Sequence, residues 1–178
     1  MEIPALSLRY FDSEMIFHAP AWKLLPGSAT HVLGRNGAGK TTYLKALLQY
    51  LDSHEVCYIG HTHPFRFFRS THDIRILSGN RQSILPDVEQ LDRYSQGQQT
   101  IMRLLSCLDL NKAVWILDEP WINLDQDLSQ ELNTHLQNHL MQEGAIVFTS
   151  HSMPAYIEWR NIQFIELQQS ICDEFEFS

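Results

Sequence analysis

Eight consecutive residues, Gly34-Arg35-Asn36-Gly37-Ala38-Gly39-Lys40-Thr41, follow the pattern G-x-x-x-x-G-K-[ST]. Each residue type has a task at a polyphosphate. Glycines admit positive φ, so backbone N–H groups can turn inward against anionic oxygens. Lys40 adds a full positive charge for the terminal phosphates. The Thr41 hydroxyl is a hard oxygen ligand for Mg2+, and Thr42 follows it in the same turn. Downstream, the apolar run Ala113–Leu117 ends in Asp118 and Glu119, followed by Pro120. The first carboxylate can hold a divalent metal, directly or through water, and the second can act as general base on an attacking water. Together these two constellations point to Mg-ATP binding and hydrolysis.

Such chemistry needs a strand before the glycine-rich loop and a helix after it. Thr30–Leu33 is apolar and β-branched, as a strand should be. Lys40–Leu51 carries Leu44, Leu47, Leu48 and Leu51 at helical spacing, so the helix aims its positive end at the bound anion. Ala113–Leu117 reads as a strand buried on both faces. Elsewhere, Leu6–Tyr10 and Ile16–His18 suggest an N-terminal β layer, and Glu55–Ile59 a further strand. Ser95–Leu108 and Leu128–Met141 have helical periodicity; Ala145–Thr149 and Ile162–Leu167 are strands, the latter the last. Thr62–Tyr94 is polar and irregular, with loops and short helices expected. Alternating strands and helices predict a largely parallel α/β sheet, with ligands at the carboxyl ends of its strands.

The chain has 178 residues, 44% of them apolar, which suits one globular domain over 1–178. A net charge of −8 argues against direct nucleic-acid binding, which calls for a basic footprint. Cys57, Cys107 and Cys172 lie far apart, in neither metal nor disulfide spacing, and fit reduced thiols. No run approaches the roughly 18–20 apolar residues that span a bilayer. Met1-Glu2-Ile3-Pro4 has no secretory character. The expected location is cytoplasmic, reaching the inner face of a membrane through a partner.

With these motifs the chain resembles the nucleotide-binding domain of the ATP-binding cassette superfamily, from about Leu6 to Leu167. Tyr94-Ser95-Gln96-Gly97-Gln98 resembles the family signature Leu-Ser-Gly-Gly-Gln, and Trp121-Ile122-Asn123-Leu124-Asp125 its D-loop. His151 resembles the switch histidine, and Tyr10 the aromatic that stacks on adenine, with Phe11 as the alternative. The resemblance implies a P-loop NTPase fold: a mostly parallel sheet flanked by helices, a small N-terminal antiparallel β layer, and 62–110 as a shortened helical subdomain. It also implies an ATP-sandwich dimer, homodimeric or with a similar subunit. Lys40, Asp118, Glu119 and His151 would serve one ATP, and Ser95, Gly97, Gln98 and Asp125 the other. Two departures stand out. The Q-loop glutamine is absent, with Thr62 in its place, and the 62–94 stretch is short. There, Phe65, Phe67 and Phe68 with Arg66 and Arg69 are either a docking patch or core aromatics with solvated arginines.

The implied function is the ATPase subunit of a transporter, powering a separate transmembrane permease. Gly60-His61 and the run Trp115–Pro120 resemble the haem-exporter ATPases of cytochrome c maturation. The alternative is a soluble, non-transport cassette ATPase acting on a protein or nucleic-acid target. A nucleotide-kinase-like phosphotransferase would not need Ser95, Gly97, Gln98 or His151. A degenerate regulatory cassette is disfavoured by intact Lys40, Asp118 and Glu119 and left open by the missing glutamine.

Overall fold

The loop-bearing strand and the strand ending in Asp118 are interior members of one parallel sheet, as the site's chemistry requires. The computed structural model describes residues 1–9, 15–60, 70, 89–108, 112–151, 159 and 161–171. Strands β5 (Ala29–Leu33), β6 (Val56–Ile59), β7 (Val114–Asp118), β8 (Ala145–Thr149) and β9 (Ile162–Glu166) form this sheet in the order β6-β7-β8-β5-β9. β7 and β8 are buried at every residue, which is why they read as unbroken apolar runs rather than alternating ones. The outer strands β6 and β9 are only partly buried.

Period-two alternation divides the core into two layers. Val114 and Ile116 pack with Leu44 and Leu47 of α1 (Lys40–Leu47). Trp115 and Leu117 face the other way, toward Leu105 of α2 (Gln96–Cys107) and Leu132 and Leu136 of α3 (Gln126–Met141). At roughly 25 cal/mol per Å2 of apolar surface removed from water, these two layers supply the main drive for the fold. A capping box starts α2: Ser95 Oγ accepts from Gln98 N at 3.3 Å, and Gln98 Oε1 accepts from Ser95 N at 3.0 Å.

Two element expectations need correction. α1 ends at Leu47 rather than Leu51, and a tight turn follows, with Gln49 N bonded to Ala46 O and Tyr50 N to Leu47 O. Leu48 and Leu51 still pack on the same core, so apolar spacing outlasts the helix. Ile162–Glu166 is not the last strand either. β10 (Gln168–Ile171) pairs antiparallel with β3 (Met15–Ala19), which pairs with β2 (Leu6–Arg9) on its other side. Its sequence, Gln-Gln-Ser-Ile, lacks an apolar rhythm. A polar ladder supplements the backbone pairing: Ser7 Oγ lies 2.9 Å from His18 Nδ1, and Ser170 Oγ 2.8 Å from His18 Nε2. A short pair, β1 (Glu2–Ile3) with β4 (Trp22–Lys23), completes the antiparallel layer. Thr62 and the aromatic–arginine stretch 65–69 lie outside the described residues.

One core contact gives the fold an acid dependence. His139 of α3 stacks on Trp115 with ring centroids 3.7 Å apart, nearly coplanar, and is 6% exposed. Burial pushes its pKa down from 6.5 to about 4, against the pull of backbone bonds to Ala145 and Ala113. The unfolded chain therefore takes up this proton below pH 6.5, and the folded chain only near pH 4. Stability should rise with pH through that window and fall as pH drops through it, by on the order of 3 kcal/mol from this ring. Denaturant unfolding between pH 7 and 4 checks this, and His139→Phe should flatten the slope.

Candidate nucleotide site

The glycine-rich loop is built as its composition requires. Gly37 (φ 78°) and Gly39 (φ 80°) take left-handed conformations that other residues adopt at a cost. Gly34 allows a close approach: a Cβ there would stand 2.9 Å from that of Ala38. Gly39 caps α1 without any side-chain bond, so the first helical N–H groups remain directed at the loop. Lys40 is 8% exposed, and its Nζ donates to Gly34 O at 2.9 Å and Arg35 O at 3.2 Å. The ammonium is thereby held inside the loop, where phosphate oxygens would draw it. Arg35 and Asn36 stand exposed at the loop's tip.

The end of β7 meets α1 and β8 through one hydroxyl each. Thr41 Oγ1 donates to Asp118 Oδ2 at 2.7 Å, and Thr149 Oγ1 donates to Asp118 Oδ1 at 2.6 Å. Thr149 Oγ1 also accepts from Glu119 N at 3.0 Å. Glu119 itself has φ 54°, a left-handed backbone costing a non-glycine residue about 1–3 kcal/mol. Its Oε1 lies 2.9 Å from His151 Nε2. The Glu119 side chain is 18% exposed and the imidazole 56%, so the carboxylate is sheltered while the ring faces outward. A carboxylate held by a strained turn beside an imidazole can fix a water and accept its proton.

Thr41 and Asp118 fit Mg2+. They offer one hydroxyl and one carboxylate oxygen on adjoining elements, and this cation commonly takes one or two protein ligands, completing its shell with phosphate and water. Among the described residues no group of three or more His, Cys, Asp or Glu could hold a metal unaided.

Several neighbours carried no sequence signal. Thr149 closes an apolar strand, and only the β7–β8 register, Asp118 opposite Thr149, puts it on the carboxylate. Thr149→Val should leave that oxygen and the Glu119 N–H short of a partner, costing about 1–3 kcal/mol in thermal or denaturant unfolding. Likewise, β9 runs beside β5 with Glu166 opposite Leu33, which brings its end against the loop. A cavity of about 250 Å3 lies there, lined by Gly34, Arg35, Ala38, Glu166, Leu167 and Gln169. His31 of β5 stacks on Phe148 at 4.5 Å, and its Nε2 is 3.4 Å from the carbonyl of Ser150, the residue before His151. Burial lowers its pKa, and the charge of Lys40 adds to the effect against the Ser150 bond.

The signature residues form a separate cluster. Ser95 and Gln98 are engaged in the α2 cap, and Asp125 Oδ1 caps α3 by accepting from Leu128 N at 2.9 Å. Gly97 joins the two helices: a Cβ there would be 2.9 Å from Leu128 Cδ1 and 3.4 Å from Asn123 O. None of these four residues hydrogen-bonds the phosphate loop of its own chain. Tyr10 and Phe11 lie outside the described residues.

Solved structures share this architecture. An ABC transporter ATP-binding protein from Pyrococcus furiosus superposes with a TM-score of 0.68 at 21% identity, covering 92% of this chain and 96% of that one. The cassette MJ0796, in a dimeric post-hydrolysis state bound to ADP and Pi, gives 0.67 at 12% identity, with 97% of each chain covered. The chain matches no protein-family model. The chain has the fold of ATP-binding cassette proteins. In sequence it is similar to the cytochrome c biogenesis ATP-binding export protein CcmA of Legionella pneumophila, 28% identical over 85% of this chain and 92% of the relative.

Proposed function

We propose that the chain binds Mg-ATP at 34–41 and, paired with a second copy or a similar subunit, hydrolyses it to drive a separate transmembrane permease. The observation that carries this reading is the chain of contacts from Thr41 through Asp118 and Thr149 to Glu119 and His151. It joins a phosphate loop, a cation site and a candidate base within one protomer. Lys40 and the loop amides hold the phosphates, and Thr41 and Asp118 hold the metal. Bound Mg2+ supplies charge neutralisation between the phosphates. Glu119 orients water and accepts its proton, and His151 steadies both the carboxylate and the terminal phosphate.

Ser95, Gly97, Gln98 and Asp125 are assigned to the partner's nucleotide. The separation of their cluster from the chain's own loop supports this, as does the dimeric form in which MJ0796 is known. The positive N-terminus of α2, carrying exposed Ser95, suits an anion offered from outside. Among the described residues no helix is long and apolar enough to cross a membrane. The likeness to CcmA points to export during cytochrome c maturation, with haem as the candidate cargo class.

Affinity purification of the chain from detergent-solubilised membranes, with mass spectrometry of what comes with it, tests the transport assignment. A polytopic membrane protein recovered in stoichiometric amount is the expected result. A soluble protein or a nucleic acid in its place would overturn it in favour of a non-transport cassette.

A further inference from the structure

Tyr58 of β6 carries a hydroxyl that the described structure leaves without a partner. Its ring packs on the layer of Leu44, Val114 and Ile116 beneath α1, and its oxygen is buried and unpaired. A buried phenol oxygen without a hydrogen bond costs stability, and native proteins keep few such groups. Where they do, a bound water or ion often accounts for them.

The sheet register shows where the oxygen lies. β6 and β7 run parallel with Tyr58 opposite Ile116 and Ile59 opposite Leu117, which brings Gly60 level with Asp118. The tyrosine leans toward that level, because a Cβ built on Gly60 would stand 2.9 Å from its hydroxyl. By period-two alternation Asp118 projects to the same face as Ile116, the face on which Thr41 meets it. A glycine at 60 thus leaves room for a hydroxyl beside the carboxylate. Burial and, after it, the charge of Asp118 raise the phenol's pKa to about 12.

We propose that Tyr58 is a positioning residue of the cation site, its hydroxyl accepting a hydrogen bond from a water carried by the divalent cation beside Asp118. Both Asp118 oxygens already take a threonine hydroxyl, so a second oxygen acceptor on this side widens the shell that the chain itself provides. The inference rests on the assignment of Mg-ATP to residues 34–41.

Tyr58→Phe removes the oxygen and little else. ATP affinity should be measured with Mn2+ and again with excess chelator, and Mn2+ itself followed by electron paramagnetic resonance of the ATP-bound chain. The gain in ATP affinity conferred by Mn2+ should shrink by about three- to tenfold, the worth of one such hydrogen bond. Affinity in chelator should not change, and thermal stability should hold or rise. Gly60→Ala, which crowds the hydroxyl, should weaken the Mn2+ effect in the wild-type background and add little to Tyr58→Phe, because the crowded oxygen is then gone. An unchanged Mn2+ effect in Tyr58→Phe overturns the proposal and leaves the hydroxyl a misfit of the core. A wild-type chain whose ATP affinity ignores Mn2+ altogether would instead overturn the underlying site assignment.

Discussion

Glu119→Gln should lower ATP turnover by about 10²–10⁴-fold, the usual worth of a positioned base, while ATP affinity stays within a few-fold of wild type. The amide keeps the size and the hydrogen-bonding reach of the carboxylate, so the turn at φ 54° and the contact to His151 can persist. What it loses is the capacity to take a proton from water. Nothing in the proposed phosphate contacts depends on it, since Lys40 and Thr41 lie on α1 and the glycines in the loop between β5 and α1. ATP should therefore still close two protomers on each other, with no hydrolysis to let them part. Size-exclusion chromatography with Mg-ATP should then show a dimer that wild type forms only transiently. Normal turnover by this variant would refute the choice of base. Lost turnover with lost binding would show that Glu119 holds the loop together.

How much of this could be read from residues alone depends on how local each constraint is. The left-handed turns of the glycine-rich loop were legible because the pattern is written in eight consecutive residues, with glycines where positive φ is needed. Asp118 and Glu119 were legible because a fully buried strand cannot carry two carboxylates except at its end. Thr149 was not legible, since its contact with Asp118 exists only through the pairing of β7 with β8, a choice of neighbour that no local pattern records. Gln169 and Glu166 border the loop for the same reason, by the order β8-β5-β9. β10 lacked apolar rhythm because its face is held by backbone pairing and a His18–Ser170 contact rather than by core burial. In α1 the error ran the other way, with leucines past the helix end mistaken for continuation although a turn delivers them to the same core.

Lys40→Ala should weaken ATP binding by about 10²-fold or more, the loss of charge-assisted hydrogen bonds worth roughly 1.5–3 kcal/mol each. The structure indicates why this effect should be specific to nucleotide. Nζ donates to the carbonyls of Gly34 and Arg35, which belong to an exposed-tipped loop and can turn to water when the ammonium is gone. Folding should consequently change by less than the full worth of two such bonds, no more than about 3 kcal/mol. The core beneath α1 is untouched, being made by Tyr43, Leu44 and Leu47. Because the charge acts on the terminal phosphates, the penalty should grow from AMP through ADP to ATP. Titration calorimetry across the three nucleotides, with thermal unfolding run alongside, reads both expectations. Equal losses for all three would mean that the alanine had collapsed the loop rather than removed a charge. ATP bound as tightly as by wild type would mean that the triphosphate lies somewhere other than against this ammonium, and the assignments of Thr41, Asp118 and Glu119 would fall with it.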